Sequence, residues 1–176
     1  MESISTERWS NLIDKARDVL KIELRDYYGT DAALFDNWRS GNLDAVTAHY
    51  RRWFEYFTTA YVEAGRSFSR VRVVSEPLSD YQRMAVIHSG VTVDAGERLR
   101  WLPRRLVSAE ALPGNDCLIL DGSAVVFNVL DADAGELVEV QYSTEPDVVK
   151  FCEDAFDRSW NLAVPHHEYS AKTIPA

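Results

Sequence analysis

Cysteine is scarce in this chain. Of its 176 residues only Cys117 and Cys152 carry a thiol, which excludes a disulfide framework and any Cys-x-x-Cys redox or zinc pair. Both sit in apolar patterns and are expected as buried, reduced thiols. Long hydrophobic runs are also missing. No stretch approaches the roughly 18 apolar residues of a membrane span. The first residues lack a basic segment followed by an apolar one, so no secretory leader and a cytoplasmic address are expected. There is no Gly-rich phosphate loop, no dinucleotide fingerprint and no Gly-x-Ser-x-Gly elbow. Positive charge is in deficit, 19 Lys plus Arg against 28 Asp plus Glu. A net charge of −9 argues against gripping the nucleic-acid backbone directly.

What remains is an ordinary globular composition. Apolar residues make up 46% and aromatics 11%, enough for one domain, 1–176, that buries roughly 70% of its chain surface. Residues 1–66 read as mainly helical, 67–165 as a mixed sheet with helices, and 166–176 as a tail. Trp9, Leu12, Ile13, Ala16, Val19 and Leu20 recur at helical spacing and predict a helix over roughly 6–22. Asp31 is placed to cap a short helix carrying Leu34, Phe35 and Trp38. A long stripe from Val46 through Tyr50, Trp53, Phe54, Phe57 and Tyr61 to Ala64 predicts a helix ended by Gly65, its aromatics packed in the core.

The period then changes to two. Strands are predicted at Phe68–Ser75, Arg98–Leu102, Cys117–Leu120, Ala124–Leu130 and Leu137–Tyr142. The unbroken apolar run at Cys117–Leu120 suits a central strand covered on both faces. Ser79 with Gln82 is a capping-box signature opening a short helix. Thr144 is expected to cap the final helix, with Pro146 in its first turn. Strand-helix-strand order favours parallel neighbours and the Asp121-Gly122 and Asp131–Gly135 turns favour antiparallel ones. The expected fold class is therefore α/β (α+β), a mixed sheet of five or six strands flanked by helices.

Charge is unevenly distributed. Residues 66–105 hold eight arginines against four acids, while the rest of the chain is strongly acidic. Arg70 and Arg72 share one strand face, and Arg98 and Arg100 share another. If the strands are neighbours, four guanidinium forks converge on one patch suited to phosphate or carboxylate. Glu76, at a strand end before Pro77, and Asp116 and Asp121, flanking the apolar strand, complete the candidate binding residues. The plainer alternative for Glu76 is a salt bridge to a nearby arginine. His166-His167 next to a proline are expected to face solvent. No metal site and no cofactor are expected.

Two resemblances add context. FSRVRVVSEPLSDY at 68–81, DAGERLRWLPR at 94–104, KIELRDYY at 21–28, the Asn115-Asp116 and Asp121 strand and the closing segment from Asp157 to Tyr169 together resemble an actinobacterial family of unknown function. Its members are encoded beside XRE-type helix-turn-helix regulators and small companion proteins. That resemblance implies a regulatory or interaction module with such a partner, while the composition gives no expectation of contact with membrane or nucleic acid. The order from Ala64-Gly65-Arg66 through a strand, a helix, three strands and a helix ending in Phe156-Asp157 and Trp160 is similar to half of a phospholipase D-like domain. Active members carry an HxKxxxxD motif whose His is the nucleophile. With Asp121 aligned to its last position, Gly114 and Asp116 stand where His and Lys would be, which implies a non-catalytic version. The competing readings are a phosphodiester- or nucleotide-processing enzyme, which would use Glu76, Asp116 or Asp121 as acid or base, and a sensor of a small anionic ligand.

Overall fold

A computed structural model describes residues 1–174. Eight strands form one mixed sheet in the order β1-β7-β6-β5-β2-β3-β4-β8. They are β1 (Glu2–Ile4), β2 (Asp18–Glu23), β3 (Ser67–Val74), β4 (Arg98–Pro103), β5 (Asp116–Leu120), β6 (Ala124–Leu130), β7 (Leu137–Ser143) and β8 (Val164–Pro165). Strands β2, β3 and β4 run parallel, and β5, β6 and β7 form antiparallel hairpins. The helices are α1 (Thr6–Lys15), α2 (Ala32–Arg39), α3 (Leu43–Phe57), α4 (Asp80–His88), α5 (Gly90–Asp94), α6 (Pro146–Leu162) and α7 (His166–Thr173).

The strand count exceeds the five or six read from the sequence because β1 and β8, of three and two residues, are too short to show a period of two, and β2 reads as the end of a helix. β2 is the main correction. The helix expected over 6–22 stops at Lys15, Ala16 turns extended (φ −67°, ψ 137°), and Asp18–Glu23 enters the sheet between β3 and β5. β-branched Val19 and Ile22 are fully buried there. Ladder pairing on both sides outweighs a helical spacing that happens to continue. The expected tail is likewise structured: α7 packs Tyr169 flat against Trp101, ring centroids 5.7 Å apart. Helix α6, expected as the last, begins at Pro146 after Glu145, which makes no side-chain cap bond, so Thr144 is not its cap. A proline that lacks an N–H and is fixed in φ sets the first turn instead. Ser79 does cap α4, accepting from the Gln82 N–H at 3.2 Å.

Helix α6 covers one face of the sheet, packing Val149, Cys152, Ala155 and Phe156 against Ile22, Val71, Val73, Cys117 and Ile119. Both cysteines are buried and unpaired. The opposite face carries α1 and α3 over Val19, Leu118, Leu120 and Val126, and α4 and α7 over Val74, Leu99 and Trp101. Helix α3 continues into a π-helical turn, Thr58–Glu63, and Gly65, at φ 64°, reverses the chain into β3.

Arg66 locks this corner. Its guanidinium donates to the carbonyls of Ala16 and Ile13 at 2.6 Å each and of Ala60 at 3.1 Å, and lies 4.5 Å over the Tyr61 ring. It thereby adds a charged donor to carbonyls at the ends of two helical segments, where backbone partners run short. Arg66→Ala is expected to cost roughly 2–3 kcal/mol, since charge-assisted bonds to half-buried carbonyls are lost together. A urea titration checks this, and a loss below about 0.5 kcal/mol contradicts it.

Candidate ligand-binding site

Parallel pairing with period-two alternation builds a layered face. Val19 stands beside Phe68, Lys21 beside Arg70 and Glu23 beside Arg72. On the flanks, Lys21 neighbours Leu118, Arg70 neighbours Leu99 and Arg72 neighbours Trp101. The sheet thus grades from an apolar row to a cationic row to a mixed ionic row, all facing the α1–α3 layer.

Glu23 is the centre of the ionic rows. Its Oε1 lies 2.7 Å from Lys21 Nζ and 3.2 Å from an Arg70 Nη, and its Oε2 lies 2.8 Å from Arg72 Nε. Arg70 also reaches Glu97, through Nε at 2.7 Å and Nη at 3.0 Å. Two of these close ion pairs, Arg70 Nε–Glu97 and Arg72 Nε–Glu23, are not aligned as hydrogen bonds. Burial pushes the Glu23 carboxyl upward, but the charges of Lys21, Arg70 and Arg72 outweigh it and hold the group well below the usual carboxylate range. Burial pulls Arg72 down and Glu23 more than restores it, so the guanidinium stays charged. Arg72 is held between the rings of Trp101 and Tyr28, at 5.2 and 5.7 Å.

Above the cationic row lies a cavity of about 360 Å³. Lys21, Arg70, Arg72 and Leu118 form its floor, Trp9 and Ile13 of α1 one wall, and His49, Tyr50, Trp53, Tyr56 and Phe57 of α3 the other. The Trp53 indole donates to His49 Nε2 at 3.0 Å. Because an indole only donates, His49 carries its proton on Nδ1, and burial lowers its affinity for a second one. Tyr50 stacks on His88 at 4.9 Å, and burial with the nearby Asp31 charge pushes its phenol up to about 12. Asp31, expected as a helix cap, makes no cap bond. Its Oδ2 accepts from the Tyr81 hydroxyl at 2.6 Å, at the cavity edge. The aromatic stripe on α3 is therefore only partly core: Trp53, Phe54 and Tyr56 keep substantial exposure.

The seven residues singled out in the sequence separate. Arg70 and Arg72 join in the cavity floor. Arg98 and Arg100 do not, which corrects the expected four-arginine patch. The strands are neighbours, but Arg98 pairs with Ser69 and Arg100 with Val71, one residue out of phase, so both project to the opposite face. There Arg100 lies 4.5 Å over the Trp160 ring and donates to the Trp160 carbonyl at 2.9 Å. Asp116 accepts from the Tyr28 hydroxyl at 2.6 Å and from the Leu24 N–H at 2.8 Å, behind the cavity. Burial first, and the Glu23 charge second, raise its carboxyl above the ordinary value. Asp121 is at the other end of β5, accepting from the Arg17 and Asp18 N–H groups at 2.8 Å. Glu76 accepts from Arg105 at 3.3 Å and from the Tyr169 hydroxyl at 3.0 Å, the plainer reading for that residue.

His166 is buried rather than exposed, its Nδ1 accepting from the Trp101 indole at 3.0 Å. Lys21, Glu23, Asp31 and Glu97 were not singled out. The charged-apolar alternation of Lys21-Ile22-Glu23-Leu24 is the signal that marks the first two. Among the described residues, no cluster of three or more His, Cys, Asp or Glu side chains is arranged to hold a metal ion, and no helix is long and apolar enough to cross a membrane.

Known proteins place this architecture. The phospholipase D family member Nuc from Salmonella typhimurium superposes with a TM-score of 0.52 at 15% identity, covering 92% of this chain and 93% of Nuc. The fold is thus phospholipase D-like. TrmBL2, an archaeal chromatin protein, gives a TM-score of 0.44 at 18% identity over 90% of this chain, which spans about half (49%) of the TrmBL2 chain. No curated protein sequence matches. The family model described as Domain of unknown function (DUF6879) matches residues 7–171, nearly the whole chain, and the protein belongs to that family.

Proposed function

We propose that the protein is a non-catalytic binding module that takes a small anionic ligand in the cavity over β2 and β3 and signals occupancy to a protein partner, with a helix-turn-helix regulator as the candidate. The observation that carries this is the cationic row facing an aromatic-walled cavity. Lys21 and Arg70 retain partial exposure, 23% and 17% of their side chains. Of the five guanidinium N–H donors of Arg70 two are hydrogen-bonded to carboxylates, and the Lys21 ammonium is paired with Glu23 alone. Donors remain on both for an anion, held where the surrounding protein strengthens the attraction. The roof is also the route to a partner. Helix α3 covers the cavity with Tyr50 and Phe57 and presents exposed Phe54 beside Trp53 and Tyr56 outward, a kind of surface enriched at protein interfaces.

Phosphodiester chemistry has less support. Gly114, aligned to the nucleophile position, has no side chain, and the Asp116 carboxylate is engaged by Tyr28 and Leu24.

Inorganic phosphate, titrated to tens of millimolar at constant ionic strength, is expected to raise the wild-type melting temperature by a few degrees through mass action. The shift is expected to vanish in Lys21→Met. A shift of equal size in that variant, or none in the wild type with phosphate, adenosine 5′-monophosphate or 2-aminobenzoate, refutes the reading.

A further inference from the structure

We infer that the ligand is an aromatic anion that also carries a hydrogen-bond donor: a planar ring against the α3 wall, an anionic head on Lys21 and Arg70, and a donor facing Asp31. This rests on the binding-module reading and adds the chemistry of the occupant. Three independent features of the cavity carry it. The floor offers the N–H groups of Lys21 and Arg70, and beside them Arg72, whose Nε is ion-paired with Glu23 and whose guanidinium lies between two rings. One compact anionic group fits that arrangement. The α3 wall presents Tyr50, Trp53 and Tyr56, a surface that a flat π-system covers better than a flexible chain does. Two of them are held in place, Trp53 by its hydrogen bond to His49 and Tyr50 by stacking on His88, so little of their side-chain freedom is lost on binding. Asp31 then sits at the edge with one carboxylate oxygen engaged by Tyr81. A carboxylate only accepts, so beside an anion-binding floor it selects a ligand that offers an N–H or O–H at that end.

At about 360 Å³ the cavity is at the small end of ligand pockets. One ring system and one head group fill it. That chemistry is shared by mononucleotides and by amino-substituted aromatic carboxylic acids.

The test is isothermal titration of the full chain with four probes. Adenosine 5′-monophosphate and 2-aminobenzoate carry ring, anion and donor. Ribose 5-phosphate lacks the ring and adenosine lacks the anion. At least one of the first pair is expected to bind about tenfold or more tighter than both controls, and which one does identifies the source. Trp53→Ala, at an exposed roof position that leaves the core intact, is expected to weaken the binding probe severalfold without changing phosphate binding. Asp31→Asn is expected to weaken it while sparing ribose 5-phosphate. Ribose 5-phosphate binding as tightly as adenosine 5′-monophosphate overturns the aromatic assignment and leaves the anion-binding module standing. Adenosine binding equally well overturns the anionic head. Failure of all four probes together with inorganic phosphate removes both the inference and the reading beneath it.

Discussion

Replacing Glu23 by Gln is expected to cost roughly 3–5 kcal/mol of unfolding free energy, because it leaves three buried or half-buried cations around a neutral amide of the same shape. Lys21, Arg70 and Arg72 all lie within 3.2 Å of the Glu23 carboxylate, and its side chain is 6% exposed. Glu97 compensates only Arg70. For a chain of this length the loss corresponds to a melting temperature lower by roughly 10 °C. The pH dependence has a definite sign. The folded carboxyl is held below its unfolded value of about 4.5, so its stabilisation is complete above that value and is lost as pH falls through and below it. Glu23→Gln therefore removes stability at neutral pH and flattens the acid limb of the curve. A cost under about 1 kcal/mol at pH 7 would mean that solvent, rather than Glu23, balances the cations. Ligand binding is expected to recover some of the lost stability at high anion concentration, since an anionic head takes up the N–H groups that Glu23 releases.

Acidification from pH 7 toward 4 is expected to unfold the α7 side of the molecule first. His166 is buried and neutral, and burial followed by the His167 charge lowers its pKa to about 4. The Nδ1 atom that would take the proton accepts the Trp101 N–H, so protonation sets two donors against each other beside a fully buried indole. The unfolded chain binds this proton near pH 6.5. Stability is thus intact above about 6.5 and is lost as pH falls toward 4, by on the order of 3 kcal/mol. His49 and His88 are lowered as well and act in the same sense. Asp116, whose carboxyl is raised, acts in the opposite one. Denaturant titrations at pH 7, 6, 5 and 4 measure the slope, and tryptophan emission reports the Trp101 site. In His166→Asn the slope between 6.5 and 4 is expected to shrink by more than half. An unchanged slope would assign the effect to other groups.

The hairpins and the parallel crossover were legible because each rests on a local pattern. Val71 and Val73 alternate with Arg70 and Arg72, and Asp121-Gly122 is a turn whose conformation the residues themselves prefer (φ 51° and 60°). β2 was not legible because Val19 and Leu20 continue the helical spacing of Trp9, Leu12, Ile13 and Ala16, which leaves only Lys21-Ile22-Glu23 to mark a strand, and buried charges make sense only once their partners on β3 are known. The candidate site was half legible for the same reason. The basic segment is real, but whether two strands aim their arginines at the same side depends on register, and a one-residue offset sends Arg98 and Arg100 to the α6 face. His166 illustrates the converse. Its surroundings are polar in sequence, and its burial comes from Trp101, 65 positions away.

The sheet ends on β1 and β8, strands of three and two residues. They cover Val140–Tyr142 of β7 and Arg100–Trp101 of β4, and so break each edge into short pieces on which an added strand finds few consecutive partners. Edges interrupted in this way also hinder the molecule from stacking edge to edge with its own copies.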